Sequence, residues 1–368
     1  DPDKIVFYSN MGFRDNVKAV YDELISHDCG KYQIVCAVSD WEDFENRPHP
    51  DNVRFVSPTA GVRHFFFGKY FFYSFGKYPV KPSKKQRVVN VWHGSPLKKI
   101  GNYTDDKDEN FFTYVLAASD FFAPIMKKAF NCRDGQVKVC GHPGSDAMFK
   151  GENALRKLGL DTGWDKLILW MPTFRQSGFL GVSDAAKTEG TGLPILSRKE
   201  DMERVNELLR EKNALLLAKI HPAQDLDSID LTAYSNIRVV TNGQMQESQC
   251  DLYALLGQAD GLITDYSSVY FDYLLLNRPI GFTVDDMEEY MKNRGFVVDD
   301  PRPLMPGQFL NTPEDFCGFL SDLLEGRDPY GEERLRVKEL TNKYDDGKDA
   351  LRALAIAGIT FEEKEGSK

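Results

Sequence analysis

Long apolar runs are missing from this chain of 368 residues: no stretch approaches the roughly 20 consecutive apolar residues needed to cross a bilayer. No positively charged segment followed by an apolar one opens it either, so no secretory leader is expected at its start. Positive charge is not in excess. A net charge of −10 argues against a general nucleic-acid binder, which meets phosphate backbones with a basic face. The six cysteines (29, 36, 132, 140, 250 and 317) include no CxxC pair, and no two Cys or His residues show zinc-ligand spacing. Cys36 in QIVCAV and Cys140 in VKVCG lie within apolar runs, so reduced and buried thiols of a cytosolic chain are expected. G-x-G-x-x-G and G-x-x-x-x-G-K-S/T are both absent, which removes the usual dinucleotide and P-loop signatures.

What is present is an alternation. IVFYS (5–9), QIVCAV, VRFV, KYFFYSF, VVNVW and VKVCG read as strands. DNVKAVYDELIS (15–26) and FFAPIMKKAF (121–130) between them read as helices. Such alternation implies a mainly parallel sheet covered by helices. The pattern restarts after a Gly-, Asp- and Lys-rich stretch (143–166) with KLILWMP, MERVNELLREK, ALLLAKIH, IRVV, DLYALLGQA, GLITD and PIGFTV. Residues 176–200 read as a long loop, and three helical segments follow 312. The expected fold is therefore α/β: two Rossmann-like domains, 1–150 and 151–345, facing each other across a cleft, with a helical tail over 346–368.

Three segments share one grammar, an apolar strand running into a polar turn: VVNVWHGSPLKK (88–99), LLLAKIHP (215–222) and GLITDYSSVYFDYLLL (261–276). Ligands of open α/β sheets bind just beyond the carboxyl ends of strands. In the first segment His93 stands at a strand tip, with Ser95 predicted to cap a helix that begins at Pro96. An imidazole of pKa near 6.5 suits a general base at neutral pH. In the third, Thr264 and Asp265 end the strand, and Ser267 and Ser268 begin a helix whose free N–H groups would receive an anion. His221 closes the second strand, while Thr173 and Arg175, in MPTFR, are placed to reach phosphate in the same crevice. Phosphoryl chemistry follows from the set.

A further stretch, HFFFGKYFFYSFGKYPVKPSKKQR (64–87), interleaves nine Phe and Tyr residues with lysines. That mixture fits either an anionic membrane surface or a buried aromatic strand followed by a basic loop.

Together NVWHGSPLKKIG, MPTFR, KIHP, ITDYSSVYFDYLLLNRPI and the RGF at 294–296 resemble the CDP-glycerol glycerophosphotransferase family of teichoic acid synthesis. The resemblance implies a GT-B-like fold and transfer of glycerol phosphate from CDP-glycerol to a hydroxyl of a lipid-linked acceptor, a polyol phosphate or disaccharide, with release of CMP. It implies work at the cytoplasmic membrane face as a peripheral protein, with His93 as base and His221, Ser267 and Ser268 on the donor's pyrophosphate. Thr173 or Arg175 would lie near the nucleotide. Ser95, Thr264 and Asp265 complete the expected substrate-binding residues. No carboxylate pair shows metal-ligand spacing, so no protein-bound metal or other cofactor is expected beyond Mg²⁺ accompanying the nucleotide. GHPGSDAMF (141–149) departs from the family pattern, carrying Gly144 and Ser145 where relatives commonly have an arginine followed by an asparagine. CDP-ribitol as donor, a GT-B enzyme using a nucleotide sugar, and a membrane-surface protein with an inactive site are the competing readings.

Overall fold

The apolar run IVFYS lies inside β1 (Lys4–Ser9), buried from Ile5 onward, an interior strand of a seven-stranded sheet. Its partners are β2 (Gln33–Val38), β3 (Val53–Val56), β4 (Tyr70–Tyr73), β5 (Arg87–Asn90), β6 (Tyr114–Ala117) and β7 (Val137–Val139), all parallel, in the order β3-β2-β1-β4-β5-β6-β7. Strands covered on both faces must be apolar on both, which is why these segments read as unbroken runs. The helices between them are α1 (Asp15–Ile25), α2 (Trp41–Glu45), α3 (Pro58–Phe67) and α4 (Phe122–Ala129). α1 buries Val17, Val20, Tyr21 and Leu24, one face at helical spacing. α3 sits so close to β2 that a Cβ on Gly61 would meet the Ala37 Cβ at 2.3 Å.

A second, six-stranded parallel sheet holds β8 (Lys166–Met171), β9 (Ala214–Lys219), β10 (Ile237–Val240), β11 (Gly261–Thr264), β12 (Ile280–Thr283) and β13 (Gln308–Leu310), in the order β10-β9-β8-β11-β12-β13. Its helices are α5 (Ala154–Lys157), α6 (Lys199–Glu211), α7 (Asn242–Glu247), α8 (Leu252–Gln258), α9 (Val269–Tyr273), α10 (Met287–Asn293), α11 (Pro313–Leu324) and α12 (Gly331–Thr341). Thr312 and Asp315 form a capping box at the start of α11, with Pro313 at its first position. Both sheets reverse strand order beside their first strand, at β1/β4 and at β8/β11, and such switch points are where doubly wound sheets receive ligands.

The computed structural model describes residues 1–161, 163–172, 193–219 and 233–361. The chain divides into one unit of residues 1–95, 100–147 and 340 onward, and another of 96–99 and 148–339. This differs from a division at 150 and 345 with a separate tail. The last helix, α13 (Asp349–Ala357), packs on α1, and its Ala353, Leu354 and Ala357 enter the first hydrophobic core. Its apolar face has a sheet unit to cover, so it is not a tail.

The predicted helix at Pro96 is absent. Residues 96–99 run extended: Lys98 bridges to Phe296, the Lys99 N–H donates to the Gly295 carbonyl at 3.1 Å, and the Val297 N–H donates to the Leu97 carbonyl at 2.9 Å. Pro96 lacks a backbone N–H and so fits an extended segment as readily as a helix start. Ser95 caps nothing.

Candidate active site

In the first unit the site grows from the exits of β4 and β5. Past β5, Asn90 Oδ1 accepts the Trp92 N–H at 3.0 Å, and Trp92 turns into the left-handed region at φ 54°. Gly94 follows at φ 132°, a value only glycine adopts readily. Between them stands His93. Its ring stacks on Phe75 with centroids 4.5 Å apart and 16° between planes, and lies 3.9 Å from the Trp92 ring.

His93 presents solvent-accessible surface, yet protein atoms surround it densely enough to lower its pKa to about 4. Burial is the main cause; a hydrogen bond with the Ser74 backbone opposes it and the nearby His142 reinforces it. Water reaching the ring limits the size of the shift and leaves its direction. At neutral pH His93 is thus a neutral imidazole. A ring nitrogen that donates to the Ser74 carbonyl leaves the other nitrogen with a lone pair for a proton.

Two hydroxyls beside this histidine, Ser74 Oγ and Ser95 Oγ, are buried and have no hydrogen-bond partner among the described residues. A buried hydroxyl without a partner is costly, and a ligand's polar groups would relieve it. His142, in the loop after β7, is also buried. It did not figure among the sequence candidates, although VKVCGHPG repeats the strand-then-Gly/His grammar.

Behind the loop lies a carboxylate pair. Asp146 accepts the N–H groups of Asp349 at 2.9 Å and Ala350 at 2.8 Å, fixing the start of α13. Burial, then the neighbouring Asp146, raises the Asp349 pKa to about 7, with Arg352 opposing.

In the second unit the site grows from the exit of β11, next to the switch point. Thr264 is fully buried, and its Oγ1 donates to the Met171 carbonyl at 2.9 Å, tying β11 to β8. Its hydroxyl is occupied within the sheet. Asp265 is buried at the start of the turn, while Ser267 and Ser268 are half-buried. The helix that follows is shorter than the sequence suggests: α9 spans five residues, extended by a 3-10 turn at Leu274–Leu276, and Ser268 makes no side-chain cap. So short a helix carries little dipole, leaving hydroxyls and turn N–H groups as the available donors. Asp272 accepts the Tyr253 hydroxyl at 2.9 Å, and Asp286 accepts that of Tyr266 at 2.9 Å; both hold the loop. Thr173, Arg175 and His221 lie outside the described residues. Among the described residues no cluster of three or more His, Cys, Asp or Glu is arranged to hold a metal.

The basic aromatic stretch divides. Tyr70, Phe71, Phe72 and Tyr73 are core, whereas Phe66 and Phe67 on α3 are 57% and 60% exposed. Lys77 and Lys81 are paired with Glu109 and Asp108, so their charge is met within the unit. Among the described residues no helix is long and apolar enough to cross a membrane.

Residues 1–356 match the model of the CDP-glycerol:poly(glycerophosphate) glycerophosphotransferase family. The chain belongs to that family. It is 29% identical over 287 residues to the teichoic acid glycerol-phosphate primase of Bacillus subtilis, covering 74% of this chain and 68% of the relative. It is also 29% identical over 341 residues to the teichoic acid poly(glycerol phosphate) polymerase of Bacillus spizizenii, covering 83% and 79%. Ribitol-phosphate primases and polymerases are relatives too. The solved wall teichoic acid polymerase TagF superposes with a TM-score of 0.77 at 22% identity, covering 97% of this chain and 89% of that one. The fold is accordingly GT-B-like α/β, and the protein is a transferase of the teichoic acid glycerophosphotransferase group.

Proposed function

We propose that this enzyme transfers glycerol phosphate from CDP-glycerol to a hydroxyl of a lipid-linked acceptor and releases CMP. His93 takes the acceptor's hydroxyl proton on its free ring nitrogen. The acceptor oxygen attacks the phosphorus that carries glycerol, and the bond from that phosphorus to the bridging oxygen breaks. CMP leaves with the bridging oxygen's electron pair. The single observation that carries this reading is His93: a neutral imidazole, its ring stacked on Phe75 and bonded to the Ser74 backbone, at a strand exit.

Ser74 and Ser95 supply hydroxyls for the acceptor side. Ser267 and Ser268, with turn N–H groups, serve the donor's diphosphate, joined on the sequence argument by His221, Arg175 and Thr173. Preorganised donors of this kind carry most of the rate in phosphoryl transfer. The scheme assigns no step to a resident metal, and Mg²⁺ would accompany the diphosphate; turnover in EDTA before and after Mg²⁺ addition tests this.

The acceptor is a membrane lipid, so the enzyme works as a peripheral protein at the cytoplasmic face, with exposed Phe66 and Phe67 as the apolar contact. The donor polyol is the open choice that the ribitol relatives raise. Separate incubation with CDP-glycerol and CDP-ribitol, a short lipid acceptor and mass spectrometry of the product tests it. CMP and a glycerol-phosphate adduct are expected; a ribitol-phosphate adduct alone would transfer the assignment to the other donor.

A further inference from the structure

Asn16, in the first turn of α1, is 1% exposed and bonds to two separate loops at once. Its Nδ2 donates to the Val91 carbonyl at 3.2 Å and to the Trp92 carbonyl at 3.0 Å. Its Oδ1 accepts the Gly144 N–H at 2.8 Å. The first pair of bonds holds the two residues that precede His93, and the third holds the loop carrying His142. One amide therefore joins the helix, the exit of β5 and the turn after β7, and those last two segments supply His93 and the His142 that helps to lower its pKa.

The backbone explains why such a fixture is needed. Trp92 sits at φ 54°, a conformation a bulky residue keeps only when its surroundings over-determine it. Asn90 holds the Trp92 N–H and Asn16 holds the Trp92 carbonyl, so both polar groups of the strained residue are tied. Without Asn16 the carbonyls of Val91 and Trp92 lose a buried donor and the turn is free to relax. Relaxation there moves His93, the next residue.

We infer that Asn16 is a positioning residue for His93, setting the place and hydration of its imidazole without touching substrate. The inference rests on the reading of His93 as the base. It is not a fold-maintenance role alone, because the amide contacts converge on the histidine's own turn and on His142's loop, not on the hydrophobic face of α1.

Three variants of the full chain test it: Asn16→Ala, Asn16→Asp and His93→Ala. Asn16→Asp keeps the volume and the acceptor for Gly144 and removes both donations to the strand exit. It is the arm that stays informative if Asn16→Ala does not fold. Displacement of a catalytic group by about 1 Å costs about 10²-fold in rate. Both Asn16 variants should therefore lose kcat for CMP release by about 10- to 100-fold, with the KM for CDP-glycerol close to wild type. In ¹³C-labelled protein, the His93 Cε1–H resonance should titrate nearer the ordinary histidine value of about 6.5 as water gains access. Wild-type kcat and an unmoved His93 titration in folded Asn16→Asp would overturn the inference, as would a fall in thermal stability with neither readout changed. Full CMP release by His93→Ala would instead overturn the base assignment. The His93 titration would still decide whether Asn16 holds that ring.

Discussion

The imidazole of His93 lies flat against the ring of Phe75, 4.5 Å centroid to centroid. The stack covers one face of the imidazole with carbon and so favours its neutral form, the form the proposed base role requires. With the pKa lowered to about 4, protonation of the ring comes late as pH falls.

The acid limb of the kcat/KM profile for CMP release should therefore lie well below pH 6.5. Replacing Phe75 with alanine admits water, stabilises the imidazolium and should move that limb upward. A wild-type limb at pH 6.5, unmoved in Phe75→Ala, would contradict the environment described for His93. The same shift has a stability sign: the folded chain resists protonating His93, so its contribution is present above about pH 6.5 and lost as pH falls toward 4.

Donor binding should respond to the serines of the second unit. Loss of a hydrogen bond to a charged group costs about 1.5–3 kcal/mol, or roughly 10- to 100-fold. Ser267→Ala or Ser268→Ala should weaken CDP-glycerol by that order in calorimetry while leaving thermal stability near wild type, since both side chains are only half-buried. Unchanged affinity in both variants would remove them from the donor site.

Asp349 makes a pH prediction of opposite sign. Its pKa rises from an ordinary 3.8 to about 7 beside Asp146, so between those values the folded chain holds a proton that the unfolded chain has lost. Stability from this group is full below about pH 4 and declines as pH rises through 7. Asp349→Asn removes the ionisation, so its melting temperature relative to wild type should climb between pH 5 and pH 8. A constant difference across that range would contradict the pairing.

Gly61 tests the seat of α3 on the first sheet. An added methyl would meet the Ala37 Cβ at 2.3 Å and the Tyr78 hydroxyl at 2.5 Å. Overpacking of this kind costs about 1–3 kcal/mol. Gly61→Ala should lower the denaturant midpoint accordingly, and a neutral result would mean α3 shifts freely.

Phe66 and Phe67 test the membrane reading. The double change to serine should reduce flotation with vesicles containing anionic lipid, and should reduce turnover on a lipid acceptor far more than on a soluble acceptor analogue. Equal flotation would place the membrane contact elsewhere.

Much of the fold was legible because parallel strands buried on both faces read as apolar runs, and β1, β2, β8, β9 and β11 are of that kind. β6 (YVLA) and β13 (QFL) are not among the strands the sequence pattern predicts. α3 was hidden by three consecutive phenylalanines, which obscure helical spacing. In the site, His93 was legible from a strand meeting His-Gly. The Ser95 cap was misread because proline suits either outcome. Asn16 was illegible for a different reason: its acceptors and donor lie 75, 76 and 128 residues away, and local pattern carries no record of such closure. His142 had a local signal that its departure from the family motif obscured.

The central claim is that His93 is the base. It is tested most directly by CMP release from CDP-glycerol and a lipid acceptor with His93→Ala, donor binding being measured on the same sample. A general base contributes typically 10²- to 10⁴-fold, so a loss of that order with donor affinity retained is predicted. Turnover equal to wild type in the folded variant would contradict it.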